Sequence, residues 1–490
     1  MRSAKLLIDQ NTNYGNDFGE VFRSSAIFYY KYSAGFKTTI SLLNYWKLKR
    51  NISVGIIGNV RDLSGKLIKR QRLYFENCEV INFSPKIETL KDFEGSVEIE
   101  VFSTENLVIP YAAVMCIYET TNGPTMVHSY TRAYSQHEIE DGRTITSGEE
   151  SCWTLRDDNH FESFGVIHNG PQEMVDKHFK LVVKNHSGQK ISKDIYFEKI
   201  EKYQTIVIRP KNYIIELVDF LENRPGQAAL SFVTGDSFTR MLVGNRKADD
   251  SDWQVTHSNF NYSVHMTNKL NQGNNDLPSD YDYGYMKVPH IPNSKLDLYV
   301  YPDNDPGNYE LLIDTKKTDF STGQFVNTTL EGSTVKIRKL KDLLPSRVVT
   351  AISGRLNDNT SFLPFECSIG ISTKAKPPKR LWWGSIAFHS NLKTKLYIIP
   401  NEVLSGPSSG FTIDISIYSQ HHKTSITSKI TVSNEDEMLN GVDLEKLFPN
   451  IKEYLKGSFG YYSTFSEYKG FSVYSLIYND KGIATLEHGF

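Results

Sequence analysis

Short runs of alternating apolar and polar residues follow one another along most of the chain. The runs are rich in Val, Ile, Tyr, Phe and Thr, and Gly, Asn, Asp or Pro interrupts them at intervals of roughly 8–12 residues, which is typical of short strands. Helical periodicity is scarce, and its best example, 444–457, contains Pro449 and therefore predicts only one or two turns. The pattern predicts an all-β protein of antiparallel β-sandwiches with short helical turns, rather than a parallel α/β sheet.

One phrase recurs at the end of four of these runs. In each copy an apolar run closes on a histidine that a small residue follows; the four histidines are His128, His257, His389 and His488. They lie roughly 100–130 residues apart, which is the size of one compact domain, so the phrase indicates a domain copied in tandem. The order of strands and one-turn segments upstream of each histidine has the general look of immunoglobulin-like or fibronectin-like sandwiches.

The repeat divides the chain into four predicted sandwiches. We expect an N-terminal extension at 1–23, sandwiches at 24–135, 150–263, 293–392 and 393–490, and a linker at 264–292. The linker is rich in Asn, Asp, Gly and Tyr and can bury little apolar area, so it predicts a long surface loop.

Composition narrows the class of protein. The 490 residues exceed what one core can hold, and 55 basic residues nearly balance 57 acidic ones, which argues against a general nucleic-acid or membrane-surface binder. No apolar run approaches the roughly 18 residues of a membrane span, and the N-terminus lacks a secretion signal. The four cysteines form no CxxC pair, which favours a reducing compartment. We therefore expect a cytoplasmic protein, with non-classical export or assembly on a particle as the alternative.

The repeated histidines have a chemical and a structural interpretation. His128 precedes His137 and Glu138, and His257 precedes His265; these residue types bind zinc or iron(II). Their spacings are not those of known ligand motifs, and the third and fourth copies lack a second histidine. A residue kept in every copy favours a structural role, in which the imidazole hydrogen-bonds a carbonyl at the end of a strand. No metal and no cofactor is therefore predicted.

Three segments contain candidate binding residues. Segment 151–164 combines an arginine and acids with aromatics between two predicted sandwiches, where a sugar or a charged molecule could bind; the alternative is a solvated connector. Segment 238–260 predicts a hairpin with three aspartates, but these lack the EF-hand register and suit a polar tip better than calcium. In 377–385 two adjacent tryptophans should face opposite sides of a strand. The candidates are Trp153, Arg156, Asp157, His160, Arg240, Trp253, Trp382 and Trp383.

The sequence contains no GxSxG, P-loop or HExxH motif. We predict a non-enzymatic binding or scaffold protein that recognises a glycan or a protein partner through aromatics and polar loops at the junctions. Two alternatives stay open: a carbohydrate-active or carbohydrate-biosynthesis enzyme, and a structural subunit of a phage or surface assembly. The enzyme would need one pocket, between the first two sandwiches, that gathers His128, His137, Arg156, Asp157, His160, Arg240 and His257.

Overall fold

Strands account for 59% of the residues that the structure describes and helices for 7%, so the predicted all-β class is confirmed. The structure is a computed structural model. It describes residues 22–75, 78–85, 91–103, 112–134, 145–258, 283–301, 307–330, 334–341, 344, 347–369, 371–372, 380–400, 410–468 and 471–490. Nearly all of the predicted extension at 1–23 and most of the predicted linker at 264–292 lie outside these residues.

The first sandwich, unit 1, contains eight strands. They are β1 (Phe22–Tyr32), β2 (Lys37–Leu43), β3 (Gly55–Asp62), β4 (Leu67–Leu73), β5 (Val80–Phe83), β6 (Phe93–Ser103), β7 (Val114–Glu119) and β8 (Pro124–His128). One sheet has the order β1-β6-β3-β4 and the other β5-β2-β7-β8. Helix α1 (Tyr45–Arg50) connects β2 to β3, and its Trp46 is buried in the core between the sheets.

The second sandwich, unit 2, repeats this order. Its strands, with the linking strands β9 and β16, are β9 (Thr131–Ala133), β10 (Ile145–Leu155), β11 (Phe161–His168), β12 (Met174–Lys184), β13 (Lys190–Ile200), β14 (Thr205–Ile208), β15 (Gly226–Gly235), β16 (Ser237–Thr239), β17 (Leu242–Lys247) and β18 (Trp253–His257). The sheets are β10-β15-β12-β13 and β14-β11-β17-β18, while β9 and β16 extend the first sheet of unit 1 beyond β1. A 3₁₀ turn (Pro210–Asn212) and helix α2 (Leu217–Leu221) lie between β14 and β15.

The third sandwich, unit 3, has two small additional strands. Its strands are β19 (Tyr283–Lys287), β20 (Ser294–Val300), β21 (Asn308–Ile313), β22 (Lys316–Ser321), β23 (Val326–Thr329), β24 (Thr334–Lys339), β25 (Arg347–Val348), β26 (Thr350–Leu356), β27 (Phe365–Ser368) and β28 (Ile371–Ser372). The sheets are β22-β21-β24-β19-β28-β25 and β23-β20-β26-β27.

The fourth sandwich, unit 4, returns to eight strands. They are β29 (Leu381–Ile386), β30 (Lys393–Pro400), β31 (Phe411–Tyr418), β32 (Ile426–Val432), β33 (Val442–Asp443), β34 (Gly460–Phe465), β35 (Phe471–Tyr478) and β36 (Ala484–His488). The sheets are β29-β34-β31-β32 and β33-β30-β35-β36. Helices α3 (Glu435–Asn440), α4 (Leu444–Leu447) and α5 (Ile451–Leu455) flank β33, and the side chain of Asp443 caps α4.

Two strands lie outside the segments that the repeat predicts for their sandwiches. Strand β19 falls within the predicted linker but pairs with β24 of unit 3. Strand β29 falls within the predicted third sandwich but pairs with β34 of unit 4. His389 follows β29, in the turn before β30, whereas His128, His257 and His488 each end the last strand of their unit. An apolar strand that closes on His-Ser has the same pattern whether it is the first strand or the last.

In each sandwich, the last strand of the four-stranded sheet that contains β8, β18, β27 or β36 lies at the edge of that sheet, and these four edge strands meet. Strand β8 contacts β18, β18 contacts β27, β27 contacts β36, and β36 contacts β8. We call β8, β18, β27 and β36 the central strands. Edge strands leave backbone groups without a partner strand, and here each central strand is covered by two others. The four sandwiches therefore form a closed circuit instead of an open row.

Among the described residues, apolar clusters cross three of the four junctions between units. Trp253 and Val255 of unit 2 belong to the core of unit 1. Leu476 of unit 4 belongs to the core of unit 3. A separate cluster joins Met115 of unit 1 to Tyr461 of unit 4. Because the cores are shared, the position of each unit is fixed by its neighbours.

Within the described residues, no helix is long and apolar enough to cross a bilayer. Cys78 and Cys116 are free thiols, and Cys367 is buried in the core of unit 3.

Candidate functional site

Three of the four repeated histidines come together where the central strands meet. The ring centroid of His128 lies 4.4 Å from that of His257 and 4.5 Å from that of His488, and the other two centroids are 5.9 Å apart. One nitrogen from each ring lies within 4.8 Å of the other two. His128 and His257 are buried, and the side chain of His488 is 23% exposed. We call these three residues the histidine cluster.

The repeated fold explains why these side chains meet. The residue after each histidine donates its backbone N–H to the neighbouring strand, as in the bonds from Ser129 to Val114 at 2.9 Å and from Ser258 to Met241 at 2.8 Å. In unit 4, the backbone N–H of Gly489 makes the corresponding hydrogen bond to the neighbouring strand, at 2.7 Å. The three histidines therefore occupy one and the same position of the sandwich.

The same comparison identifies the corresponding residue of unit 3. There Ile369 donates to Thr350 at 3.0 Å, which places Ser368 at the position of the histidines. The backbone N–H of Ser368 bonds Thr256 Oγ1 of unit 2 at 3.2 Å. The fourth position is thus a serine, and His389, whose ring packs against Phe459 at 4.9 Å, lies elsewhere.

Backbone carbonyls set the tautomer of two of the rings. Nδ1 of His257 lies 2.7 Å from the carbonyl oxygen of Ser258, and Nδ1 of His488 lies 3.0 Å from that of Gly489. A carbonyl oxygen only accepts, so Nδ1 carries the proton in both rings and the lone pair of the neutral imidazole is on Nε2.

A carboxylate takes the place of the carbonyl at the third ring. Nδ1 of His128 lies 3.2 Å from Oε1 of Glu487, which is buried and comes from unit 4. The same oxygen lies 3.8 Å from Nε2 of His488. Glu487 therefore lies beside two of the three imidazoles and bonds His128 across the junction between units 1 and 4.

Burial controls the charges around the histidine cluster. It holds the pKa of His257 well below its ordinary value, and the positive charges of His128 and Arg240 act in the same direction, so this ring is neutral. Burial raises the pKa of Glu487 to about 7, although the electrostatic interaction with His488 lowers it. Burial likewise raises the pKa of Glu150 to about 7, and this carboxylate accepts a 2.6 Å hydrogen bond from the Ser258 hydroxyl.

Aromatic rings enclose one side of the cluster. Phe490 packs edge-on against His128 at 5.2 Å, and Trp383 stacks on Phe490 at 5.9 Å. Imidazoles with carbonyl or carboxylate partners inside an apolar shell are chemically suited to bind a transition metal.

The candidate tryptophans are mostly core residues. Trp153, Trp253 and Trp382 are 1%, 3% and 4% exposed, so their rings offer no face to a sugar. Trp383 is half-buried and stacks on Tyr45 of unit 1 at 5.2 Å, which places it at the junction of units 1 and 4.

The polar candidates of segment 151–164 have separate surroundings. Arg156 donates to the Tyr299 hydroxyl at 3.0 Å and to Ser353 Oγ at 3.1 Å, so it anchors unit 2 to unit 3. Asp157 is buried, which raises its pKa to about 6, and it accepts from a backbone N–H of its own unit. His160 is exposed.

The residues of the single pocket that an enzyme would need are therefore only partly assembled. His128 and His257 are adjacent, and the charge of Arg240 acts on His257 and Glu150. Arg156 faces unit 3 instead, and His137 lies outside the described residues.

The three aspartates of the predicted hairpin also diverge. Asp250 pairs with Lys31 at 2.8 Å, and Asp252 accepts from the backbone of Leu363 at 2.7 Å. Asp249 bonds the backbone N–H of Ser251. Their carboxylates hold three different parts of the chain, so they do not form one oxygen cage for calcium.

Unit 1 has a basic edge that sequence reasoning did not identify. Strand β4 is the outermost strand of its sheet, and segment 44–75 carries eight basic residues and one acidic residue. Its exposed cations are Lys47, Lys49 and Arg50 of α1 and Lys66, Arg70 and Arg72 at β4. The balanced charge of the whole chain hid this segment, which a local charge count would have revealed.

Neither a protein-family model nor a curated protein matches this chain.

Proposed function

We propose that the protein is a non-enzymatic scaffold that holds four sandwiches as one body and presents the basic edge of unit 1 to a protein partner. The observation that carries this proposal is the closed circuit of central strands with apolar cores shared between units. Such a body keeps its surface features at fixed mutual positions, as a scaffold requires.

The junction between the first and the last unit supports the rigid arrangement. Tyr461 of unit 4 is fully buried, and its hydroxyl donates to the backbone carbonyl of Ser41 in unit 1 at 2.6 Å. Asn82 of unit 1 donates to the carbonyl of Phe459 at 2.8 Å. Buried contacts hold together units at opposite ends of the chain, so these units do not move independently of each other.

The partner surface is the outer edge of β4. An edge strand offers backbone N–H and C=O groups to an added strand, and Leu67, Ile68 and Tyr74 are 40%, 39% and 55% exposed there. Lysine and arginine on an edge discourage pairing with a second copy of the same strand. An extended acidic peptide satisfies both features, because it supplies the strand and neutralises the charge.

A peptide titration tests this function. We expect a labelled extended peptide of alternating Glu and Val to bind the full chain, and a peptide with Lys in place of Glu to bind at least tenfold more weakly. The double variant Lys66→Glu, Arg72→Glu should bind the acidic peptide at least tenfold more weakly, because two electrostatic attractions become repulsions. Binding is measured by fluorescence anisotropy at fixed ionic strength.

The matched control uses the corresponding edge of unit 2. Strand β13 occupies the place of β4 in its sheet, and Lys193→Glu changes an exposed lysine there. This variant should bind the acidic peptide like the unmodified chain. Equal binding of single-stranded DNA of the same charge, or loss of peptide binding in the control, would contradict a peptide-specific edge.

A further inference from the structure

We propose that His128, His257 and His488 bind one divalent transition-metal ion, and that zinc is the ion that suits them best. The site joins units 1, 2 and 4, so a bound ion would clasp three of the four sandwiches. This inference is independent of the proposed partner, because the histidine cluster and the edge of β4 share no residue.

The size of the histidine cluster fits an ion. Three atoms that lie within 4.8 Å of one another fit inside a circle with a radius of about 2.8 Å, whereas a zinc–nitrogen bond is about 2.0–2.1 Å long. Each nitrogen therefore has to move inward by less than about 1 Å to reach a common ion. Rotation of the imidazoles about their side-chain bonds supplies a shift of this size.

The outer partners of the rings are those of metal-bound histidines. Such histidines donate their second ring N–H to a carbonyl or a carboxylate, which orients the ring and fixes the tautomer. His257 and His488 have backbone carbonyls at Nδ1, and His128 has the Glu487 carboxylate. This arrangement directs the lone pair of each ring to Nε2, the nitrogen that would bind the ion.

The local charges suit a cation at this place. Glu487 lies beside His128 and His488, and Glu150 is linked to the cluster through Ser258. A bound cation would favour the ionised form of both carboxyl groups, because an opposite charge nearby stabilises a carboxylate. The positive charge of an ion would be offset by groups that the fold already contains.

The chemistry of the ligands selects the ion. Imidazole nitrogens are borderline ligands that zinc, cobalt(II), nickel and copper accept, whereas calcium and magnesium prefer oxygen. Three histidines provide three ligands of a tetrahedral site, and the partly exposed side of His488 lets water reach the fourth position.

Metal titration of the full chain is the first test. After treatment with a chelator, we expect one zinc ion per chain by elemental analysis, and visible absorption bands of four-coordinate cobalt(II) when that ion is added. Zinc in large excess over its dissociation constant should raise the melting temperature by about 2–3 °C. Absence of stoichiometric zinc in the unmodified chain would overturn the proposal without any variant.

Variants locate the ion. Losing only the group that hydrogen-bonds a metal-bound histidine lowers metal affinity roughly 10–100-fold. His488→Gln and His257→Gln remove the histidine itself, so each should lower zinc affinity by at least that factor. His389→Gln is the matched control, since it changes the fourth histidine of the repeated phrase but lies outside the cluster. It should leave the affinity unchanged.

Folding of each variant is verified by circular dichroism. If the buried His257→Gln unfolds, the partly exposed His488→Gln still decides the question. Equal zinc binding by His488→Gln and the unmodified chain would place the ion elsewhere, for example at the surface residues His421 and His422, and would refute the assignment.

Discussion

The junction between units 1 and 4 and the junction between units 2 and 3 are built from opposite chemistry. The first is an apolar cluster that includes Met115, Tyr461 and Phe490. The second is polar: Thr154 Oγ1 donates to Glu366 at 2.9 Å, and Arg156 donates to hydroxyl groups of unit 3. Among the described residues, no apolar cluster crosses this second junction.

The two junctions contribute differently: the apolar junction mainly provides stability, and the polar junction mainly provides specificity. Burying apolar area stabilises a contact at many relative positions, whereas buried hydrogen bonds stabilise only the arrangement that satisfies them. The apolar junction brings together units that are far apart in sequence. The polar junction sets the register of two units that are neighbours in sequence.

The largest expected effect is at the apolar junction. Tyr461→Ala removes a fully buried ring from the contact between units 4 and 1, which should lower the free energy of unfolding by about 3–5 kcal/mol. Urea unfolding followed by fluorescence measures the loss. Tyr461→Phe is the control: it keeps the ring, removes the 2.6 Å bond to Ser41, and should cost only about 1–2 kcal/mol. If both variants lost the same free energy of unfolding, the apolar contact would not be what stabilises this junction.

Arg156→Ala should weaken the polar junction by about 2–3 kcal/mol. The variant deletes two charge-assisted hydrogen bonds and leaves Tyr299 and Ser353 without this partner. We expect a lower free energy of unfolding, which urea unfolding followed by fluorescence would measure. Arg156→Lys keeps the charge without the planar fork and should show an intermediate loss.

The pH dependence of the polar junction should depend on Glu366. Burial raises the pKa of this carboxyl to about 7, while the charge of Arg156 opposes the shift. The folded state therefore holds a proton that the unfolded state has released, and stability falls as pH rises from about 4.5 to about 7. Glu366→Gln stays neutral. The variant should therefore gain roughly 3 kcal/mol of stability relative to the unmodified chain between pH 4.5 and pH 8.

Thermal unfolding across this pH range measures the difference. Glu453→Gln, which changes an exposed carboxylate on α5, should leave the pH profile unaltered. A Glu366→Gln profile parallel to that of the unmodified chain would show that the carboxylate does not carry the pH dependence.

The smallest effect belongs to the polar rim of the apolar junction. Asn82→Ala removes hydrogen bonds to the Phe459 carbonyl and to Gln420, at a partly exposed position where water replaces them. We expect a loss of about 1 kcal/mol or less, measured by urea unfolding. A loss as large as that of Tyr461→Ala would mean that hydrogen bonds, and not apolar area, hold units 1 and 4 together.

Sequence reasoning reached the all-β class because alternation along a strand depends only on local residues. It could not place β29, since the phrase around His389 has the local pattern of a last strand. It also could not bring His128, His257 and His488 together, because their proximity comes from contacts among three units that no local pattern encodes. Trp153 and Trp253 were proposed as binding residues because aromatic residue type alone does not distinguish a core ring from an exposed one.

The closed circuit has a consequence for how the copies can diverge. A ring of four identical chains repeats every side chain four times, so any change at the centre or on the rim occurs in all four copies at once. One continuous chain has no such symmetry constraint. It can keep histidine in three central positions and serine in the fourth, and it can carry the basic edge described for unit 1. Joining the copies covalently thus allows each sandwich to specialise while the shared architecture stays intact.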